Sequence, residues 1–285
     1  MARYITSIWA TGQVQPRRQR DGLYVEAGTA HPAKMWPHIA RAMIERYSSP
    51  GEVVLDPMCG IGTVLVEAIR TGRGAIGLDC EHEWVDLARA NVARARKAHP
   101  GVAGEVFCAD ATELHQTLTG RKASLPVDLV VTSPPYGPVV HGRVATARET
   151  GGKIVRRANR YATGKPHPGQ LARGSSLQRM QRGLESVFTG CHAALRVGGH
   201  LVVTARPYTA KGVLVDFPAL VIAAAEAAGF TYTDRRAALL ARWDGEVLHP
   251  HVTFFHPAYV RRSIAAGRRA FVRAHEDVLV FRRPA

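Results

Sequence analysis

Short apolar runs alternate with segments of helical periodicity along most of the chain, and this alternation constrains the fold more than any other feature. The runs predict strands at 52–56, 74–79, 104–110, 127–133 and 200–208. The segments between them space apolar residues as helices do, and 176–199 is predicted as a helix stopped by Gly198 and Gly199. Because connections of that length between parallel strands are usually helical, the pattern predicts an α/β fold with a parallel sheet covered on both faces.

The size and composition favour one domain in the cytoplasm. The 285-residue chain has no apolar stretch near the roughly 20 residues that a membrane span needs, and its first 20 residues lack the apolar core of a signal peptide. Its four cysteines are widely spaced, which indicates reduced thiols and neither a disulfide framework nor a zinc or other metal site. We expect a single domain over 1–285, with an N-terminal extension at 1–30 and an inserted loop at 137–174.

The charge of the chain favours a polyanionic partner. Lysines and arginines number 38 against 23 aspartates and glutamates, a formal net charge of +15. Between 137 and 182 the only acidic residue is Glu149, among these bases: Arg143, Arg148, Lys153, Arg156, Arg157, Arg160, Lys165, Arg173, Arg179 and Arg182. A basic but merely soluble protein is the alternative, and the clustering favours nucleic acid over it.

The sequence DPMCGIGT at 56–63 follows the first predicted strand and opens a helix. Gly60 and Gly62 allow the backbone to approach a ligand at the helix N-terminus, although a packing turn uses glycines in the same way. Asp56 at the strand tip would repel a pyrophosphate, and no Gly-Lys-Ser/Thr follows, so a P-loop does not fit. This acid would instead attract a cofactor that carries a cationic amine and a sulfonium.

Acidic residues also end the next two strands. Asp79, with Glu81 close behind, is placed to accept hydrogen bonds from two ribose hydroxyls, as acids at this position do in dinucleotide folds. Asp110 ends the third strand and is placed to accept from an adenine amino group. One such acid alone is more often a helix cap, but three at successive strand ends beside a glycine turn indicate S-adenosylmethionine.

The sequence TSPPY at 132–136 ends the fourth strand with a rigid loop. Pro135 forces Pro134 into an extended conformation, and neither proline has a backbone N–H. A backbone carbonyl and the Ser133 hydroxyl can therefore accept the two hydrogens of an exocyclic amino group, while Tyr136 stacks on the ring that carries it. Within a duplex that amine is paired, so the base must first be flipped out.

The chain resembles the DNA amino-methyltransferases, the cytosine-N4 and adenine-N6 group, from HPAKMWP (31–37) through DPMCGIGT, GLD, AD and TSPPY to HEDVLVF (275–281). The resemblance implies a Rossmann-like S-adenosylmethionine methyltransferase fold: a mostly parallel seven-stranded sheet closed by HEDVLVF as an antiparallel strand. It implies that HPAKMWP lines the methionine end of the cofactor. The candidate cofactor residues are His31, Pro32, Lys34, Asp56, Pro57, Gly60, Gly62, Thr63, Asp79, Glu81 and Asp110. The candidate catalytic residues are Ser133, Pro134, Pro135 and Tyr136.

The resemblance also bears on the substrate. In that family a serine at the position of Ser133 goes mostly with cytosine N4, which implies a site-specific DNA cytosine-N4 methyltransferase. A tRNA or rRNA guanine-N2 methyltransferase and a non-catalytic nucleic-acid binder are the alternatives. The candidate nucleic-acid contacts are Arg143, Arg156, Arg157, Arg160 and Tyr161, and the bases Arg261, Arg262, Arg268 and Arg269 extend the same region. The tryptophans Trp9, Trp36, Trp84 and Trp243 are predicted to pack rather than to stack on bases.

Overall fold

The computed structural model describes residues 6–26, 31, 34–120, 126–136, 143–145, 155–157, 167–171, 176–210, 213–252 and 255–285. The strands are β1 Ile8–Trp9, β2 Val53–Asp56, β3 Gly74–Asp79, β4 Gly104–Cys108, β5 Val127–Thr132, β6 Arg143–Ala145, β7 Val155–Arg157, β8 Leu195–Ala205, β9 Tyr208–Ala210, β10 Val213–Val215, β11 Thr231–Leu239, β12 Ala241–Trp243, β13 Leu248–Pro250 and β14 His275–Arg282. The helices are α1 Pro16–Arg20, α2 Pro37–Tyr47, α3 Thr63–Arg70, α4 His82–Ala98, α5 Leu114–Gly120, α6 Leu177–Ala194, α7 Phe217–Ala227 and α8 Phe255–Ala265.

Eight strands form the main sheet, in the order β1-β11-β14-β8-β5-β2-β3-β4. The pairs β4–β3, β3–β2, β2–β5 and β5–β8 are parallel, whereas β14 is antiparallel to both β8 and β11. This is the predicted Rossmann-like methyltransferase fold, with its mostly parallel sheet and its antiparallel C-terminal strand. The N-terminal residues add one edge strand to the seven expected, because Ile8 and Trp9 pair in parallel with Ala237 and Ala238.

Helices cover both faces of the sheet, as the alternation predicts. On one face α2, α3 and α4 bury residues such as Ile39, Leu65 and Val92 against the sheet. On the other face α5, α6 and α7 bury Leu118 and Phe188 among others. The central strands β2 and β5 are covered on both sides, which explains why their sequences are continuous apolar runs rather than alternating ones. None of the helices formed by the described residues is long and apolar enough to cross a membrane.

The helix predicted at 176–199 ends earlier than its glycines indicated. α6 ends at Ala194, and β8 starts at the next residue. The backbone of Gly198 donates to the carbonyl of Arg283, and the backbone of Arg283 donates to the carbonyl of Gly199. The glycines are therefore held in place by backbone hydrogen bonds from a segment more than eighty residues away in sequence, which local sequence could not reveal.

One edge of the sheet collects the candidate residues. β2, β3, β4, β5 and β8 are parallel, so the residues that follow their last positions meet at the same edge. The strand β11 also ends there and β14 begins there, because β14 runs antiparallel to both of its neighbours. The chain between β11 and β14 therefore leaves and rejoins the sheet at the same edge as the loop that holds Ser133.

Candidate functional site

A glycine turn joins β2 to α3 and forms the floor of a pocket. Gly60 has φ of 51° and Gly62 has φ of 79°, values at which other residues are strained. A Cβ added at Gly60 would lie 3.0 Å from Nε2 of His31. One added at Gly62 would lie 3.3 Å from the Cβ of Ala88. Gly60 thus keeps the pocket floor open, whereas Gly62 allows α3 to pack closely on α4.

Asp79 fixes this turn from the end of β3. Its Oδ2 accepts a hydrogen bond from the backbone N–H of Gly60 at 2.9 Å, and its Oδ1 accepts one from the N–H of Glu81 at 3.0 Å. Burial raises the pKa of Asp79 to about 6, against the lowering effect of these two bonds. The carboxylate is therefore ionised above about pH 6 and lies in the pocket wall, where a ribose hydroxyl can donate to it.

Asp56 is more deeply buried, at the end of β2. Its Oδ1 accepts from the hydroxyl of Thr132 at 2.8 Å and from the backbone N–H of Met58 at 3.1 Å. Burial raises the pKa of Asp56 to about 7, and the negative charge of Asp79 adds to that shift. The hydrogen bond from Thr132, the residue immediately before Ser133, therefore joins the predicted catalytic loop to the DPMCGIGT segment.

His31, Lys34 and Met35 lie along one side of the pocket. His31 is buried, and its ring contacts Trp84 edge-on with centroids 4.6 Å apart. The Lys34 ammonium donates to the carbonyl of His31 at 2.7 Å. Arg20, which the sequence did not single out, donates to Oγ1 of Thr63 at 3.2 Å and to the carbonyl of Met35. The N-terminal extension therefore buttresses the pocket from outside.

The predicted catalytic loop lies at the opposite side of the same pocket. Ser133, Pro134, Pro135 and Tyr136 all line it. The ring of Tyr136 packs on Phe217 with centroids 5.0 Å apart, and the guanidinium of Arg206 lies over it at 4.7 Å. Arg206 in turn pairs with Glu276 at 3.8 Å. The tyrosine ring is therefore held in place by Phe217 and Arg206.

The structure brings most of the predicted site residues together. The cofactor candidates that line the pocket are His31, Lys34, Asp56, Pro57, Gly60, Thr63 and Asp79. Glu81 follows Asp79 just outside that lining. Asp110 does not line it either, because its Oδ1 accepts from the backbone N–H and the hydroxyl of Thr112 and so begins a short 3₁₀ turn.

Several candidates cannot be placed by the structure. Pro32, Arg160 and Tyr161 lie outside the described residues. Arg143 and Arg157 occupy paired positions of the β6–β7 hairpin, and Arg156 lies beside Arg157 on β7. Their role in nucleic-acid binding stays a prediction.

The tryptophan prediction is wrong at one position. Trp84 is buried, but the side chain of Trp243 is 50% exposed on β12. Trp243 belongs to a short hairpin at the end of β11, where Asp244 accepts from His249 and from the backbone of Val247. The hairpin is held by its own polar contacts, so the tryptophan is not needed in the core.

The pocket fits S-adenosylmethionine. It offers the buried carboxyl group of Asp56 and the half-buried carboxylate of Asp79 to a cation and to sugar hydroxyls, and a glycine floor that a Cβ would fill. Cys59 and Cys80 also line it, and burial raises the pKa of both thiols, so neither is a thiolate at neutral pH. Among the described residues there is no cluster of side chains suited to a metal ion.

Known proteins resemble parts of this chain. Residues 27–150 match the family UPF0020, described as RMKL-like, methyltransferase domain. The tRNA (guanine(10)-N2)-dimethyltransferase of Methanothermobacter thermautotrophicus is 34% identical over 109 residues, 38% of this chain and 29% of that protein. The Type II methyltransferase M.ScaI of Streptomyces caespitosus is 29% identical over 83 residues, 29% of this chain and 26% of that protein.

The structure of TrmN from Thermus thermophilus is 18% identical over 87% of this chain and 49% of that chain, with a TM-score of 0.48. The chain spans about three-tenths of the length of the first curated relatives it matches. The family match and the strand order together identify an S-adenosylmethionine-dependent methyltransferase domain. Its cofactor is S-adenosylmethionine.

Proposed function

We propose that this protein methylates an exocyclic amino group of a nucleic-acid base, and that the group is the N4 amine of cytosine in DNA. One observation carries the proposal: Ser133, Pro134 and Tyr136 line the same pocket as Asp56 and Asp79. A rigid loop that can hold an amine thus faces the residues that fit the cofactor. Serine in the first position of the tetrapeptide supports cytosine N4, by the resemblance to the DNA amino-methyltransferases.

The loop residues orient the amine. The Ser133 hydroxyl and the Pro134 carbonyl accept its two hydrogens, which draws the nitrogen lone pair out of conjugation with the ring. Arg206 covers one face of the Tyr136 ring, and the flipped base stacks on the part of the ring that lines the pocket. S-adenosylmethionine supplies an electrophilic methyl group on a sulfonium. An aromatic amine held in line needs no thiolate, in agreement with the protonated state of Cys59.

Charge at the catalytic edge supports a polyanionic substrate. The stretch 247–274 contains no aspartate or glutamate. Its arginines Arg261, Arg262, Arg268 and Arg269 are all exposed. Phe271 in the same stretch is 70% exposed, and the half-exposed Trp243 lies four residues before the stretch begins. Arginines bind phosphates and exposed aromatic rings stack on unpaired bases, so the connection between β11 and β14 suits a nucleic acid with a flipped base.

A second candidate is guanine N2 of tRNA. It is favoured by the tRNA (guanine(10)-N2)-dimethyltransferases, which are 31–34% identical over 108–109 residues. The two candidates share the cofactor, the loop and the in-line transfer to an amine. They differ in the base that the pocket accepts and in the polymer that carries it.

Two loop variants test the proposed chemistry. Ser133→Ala removes an acceptor that matters most as the nitrogen becomes tetrahedral, so kcat should fall while DNA affinity changes little. Tyr136→Ala removes a stacking surface worth about 1–3 kcal/mol, so DNA affinity and kcat should both fall. Tyr136→Phe keeps the ring and should retain most of the affinity.

The matched control is Ser49→Ala, an exposed serine immediately upstream of β2, at the opposite edge of the sheet. It should leave kcat and affinity unchanged. Methyl transfer at the wild-type rate in both Ser133→Ala and Tyr136→Ala would refute a catalytic role for the loop.

A further inference from the structure

A segment about thirty residues after Tyr136 in the sequence lines part of the cofactor pocket. Residues 167–171, with the sequence HPGQL, form a turn in which the backbone N–H of Gln170 donates to the carbonyl of His167 at 3.0 Å. Gly169, Gln170 and Leu171 line the same pocket as Asp79 and Cys80. The sequence predicted a nucleic-acid-contacting role for the insert at 137–174, and the structure places residues 169–171 of that insert in the wall of the cofactor pocket.

Two donors of this turn converge on one oxygen of Glu81. The backbone N–H of His167 donates to Oε1 at 3.1 Å, and Nε2 of Gln170 donates to the same oxygen at 3.3 Å. Within the described part of the chain, Oε2 of Glu81 accepts no hydrogen bond. The turn therefore holds the carboxylate by one of its two oxygens.

The turn is anchored on both sides. A Cβ added at Gly169 would lie 1.8 Å from Oδ2 of Asp110, so only glycine allows this approach. Leu171 packs against the core, and a Cβ added at Gly183 of α6 would lie 2.5 Å from its Cδ2. The turn lies against Asp110, the acid that the sequence assigned to adenine, and its Gly169 lines the pocket.

We propose that residues 167–171 form the wall of the adenosine end of the cofactor site, and that Gln170 is a positioning residue for Glu81. Gln170 holds Oε1 of Glu81, so that Oε2 accepts from a ribose hydroxyl beside Asp79. The cofactor site of this chain is thus completed by the HPGQL turn at 167–171. The proposal concerns cofactor binding alone and does not depend on which nucleic acid is the substrate.

Calorimetric titration without nucleic acid tests this role. Gln170→Ala should raise the Kd of S-adenosylmethionine and of S-adenosylhomocysteine about tenfold, the size of one hydrogen bond to a charged group. Gln178→Ala, an exposed glutamine on α6 outside the pocket, is the matched control and should leave both Kd values unchanged. A wild-type Kd in Gln170→Ala would overturn the proposal.

A ligand lacking one ribose hydroxyl separates positioning from wall packing. In the wild type, the 2′-deoxyadenosyl analogue of S-adenosylhomocysteine should bind more weakly than the parent, and Gln170→Ala should reduce that ratio of Kd values towards one. An unchanged ratio would refute the positioning role. Gly169→Ala should also weaken S-adenosylmethionine binding, because its Cβ pushes the turn off Asp110. If that variant does not fold, the Gln170 titrations decide alone.

Discussion

Asp79 is predicted to lower the stability of the ligand-free protein while supporting cofactor binding, so one substitution should move the two properties in opposite directions. Burial raises its pKa from 3.8 to about 6. At about 1.4 kcal/mol per pKa unit, the ionised carboxylate costs the folded state about 3 kcal/mol. The stability that the bound proton contributes is fully present below pH 3.8 and is lost as the pH rises through about 6.

Asp79→Asn keeps the shape and removes the charge. It also replaces one of the two oxygens that accept from Gly60 and Glu81, at a cost of about 1–3 kcal/mol. The variant should therefore unfold at pH 8 with a free energy equal to that of the wild type or up to about 2 kcal/mol higher. Its advantage should disappear at pH 4.

Cofactor affinity should change the other way. Asp79→Ala removes a charged acceptor for a ribose hydroxyl, worth about 1.5–3 kcal/mol, so the Kd of S-adenosylmethionine should rise about 10- to 150-fold. Asp79→Asn should give a smaller rise. Calorimetry and chemical denaturation at both pH values check these outcomes, with Asp86→Asn as the control because that side chain is 75% exposed on α4. A wild-type Kd in a folded Asp79→Ala variant would remove Asp79 from the cofactor site.

Two further perturbations probe the neighbouring acid and the basic edge. Burial also raises the pKa of Asp56, to about 7, so the wild type should lose stability as the pH rises from 3.8 to about 7. Asp56→Asn should flatten that part of the pH dependence of the melting temperature. An unchanged profile would show that Asp56 does not titrate in this range. Replacing Arg261 and Arg262 together by alanine should weaken DNA binding and reduce its salt dependence, because fewer counterions are released; a salt slope equal to that of the wild type would mean that α8 does not contact phosphates.

Sequence patterns predicted the sheet, and they also predicted that the motifs at the strand ends lie close together. Parallel strands end at one edge, so Asp56, Asp79 and Ser133, each placed at a strand end by local sequence, had to be neighbours. The hydrogen bond from Thr132 to Asp56 shows that the ends of β5 and β2 are neighbours, as that rule requires. The family resemblance added His31 and Lys34, which line the pocket and which no strand pattern would have located.

The features that sequence missed all depend on contacts between distant segments. The strand β1 has two residues, too few to show a period, and exists because it pairs with β11. The HPGQL turn reaches Glu81 across 86 residues of sequence, and it lies against Asp110, which position alone had assigned to adenine. Arg20 and Arg206 likewise act on the pocket through partners that no local motif identifies.

The account is tested most directly by transferring a labelled methyl group from S-adenosylmethionine to DNA and, in parallel, to tRNA, and by identifying the modified nucleoside with mass spectrometry. The protein should place N4-methylcytosine in DNA, and Ser133→Ala should reduce the amount formed. N2-methylguanosine in tRNA with unmodified DNA would contradict the cytosine assignment and favour the second candidate. Transfer to neither polymer would contradict the proposed function itself.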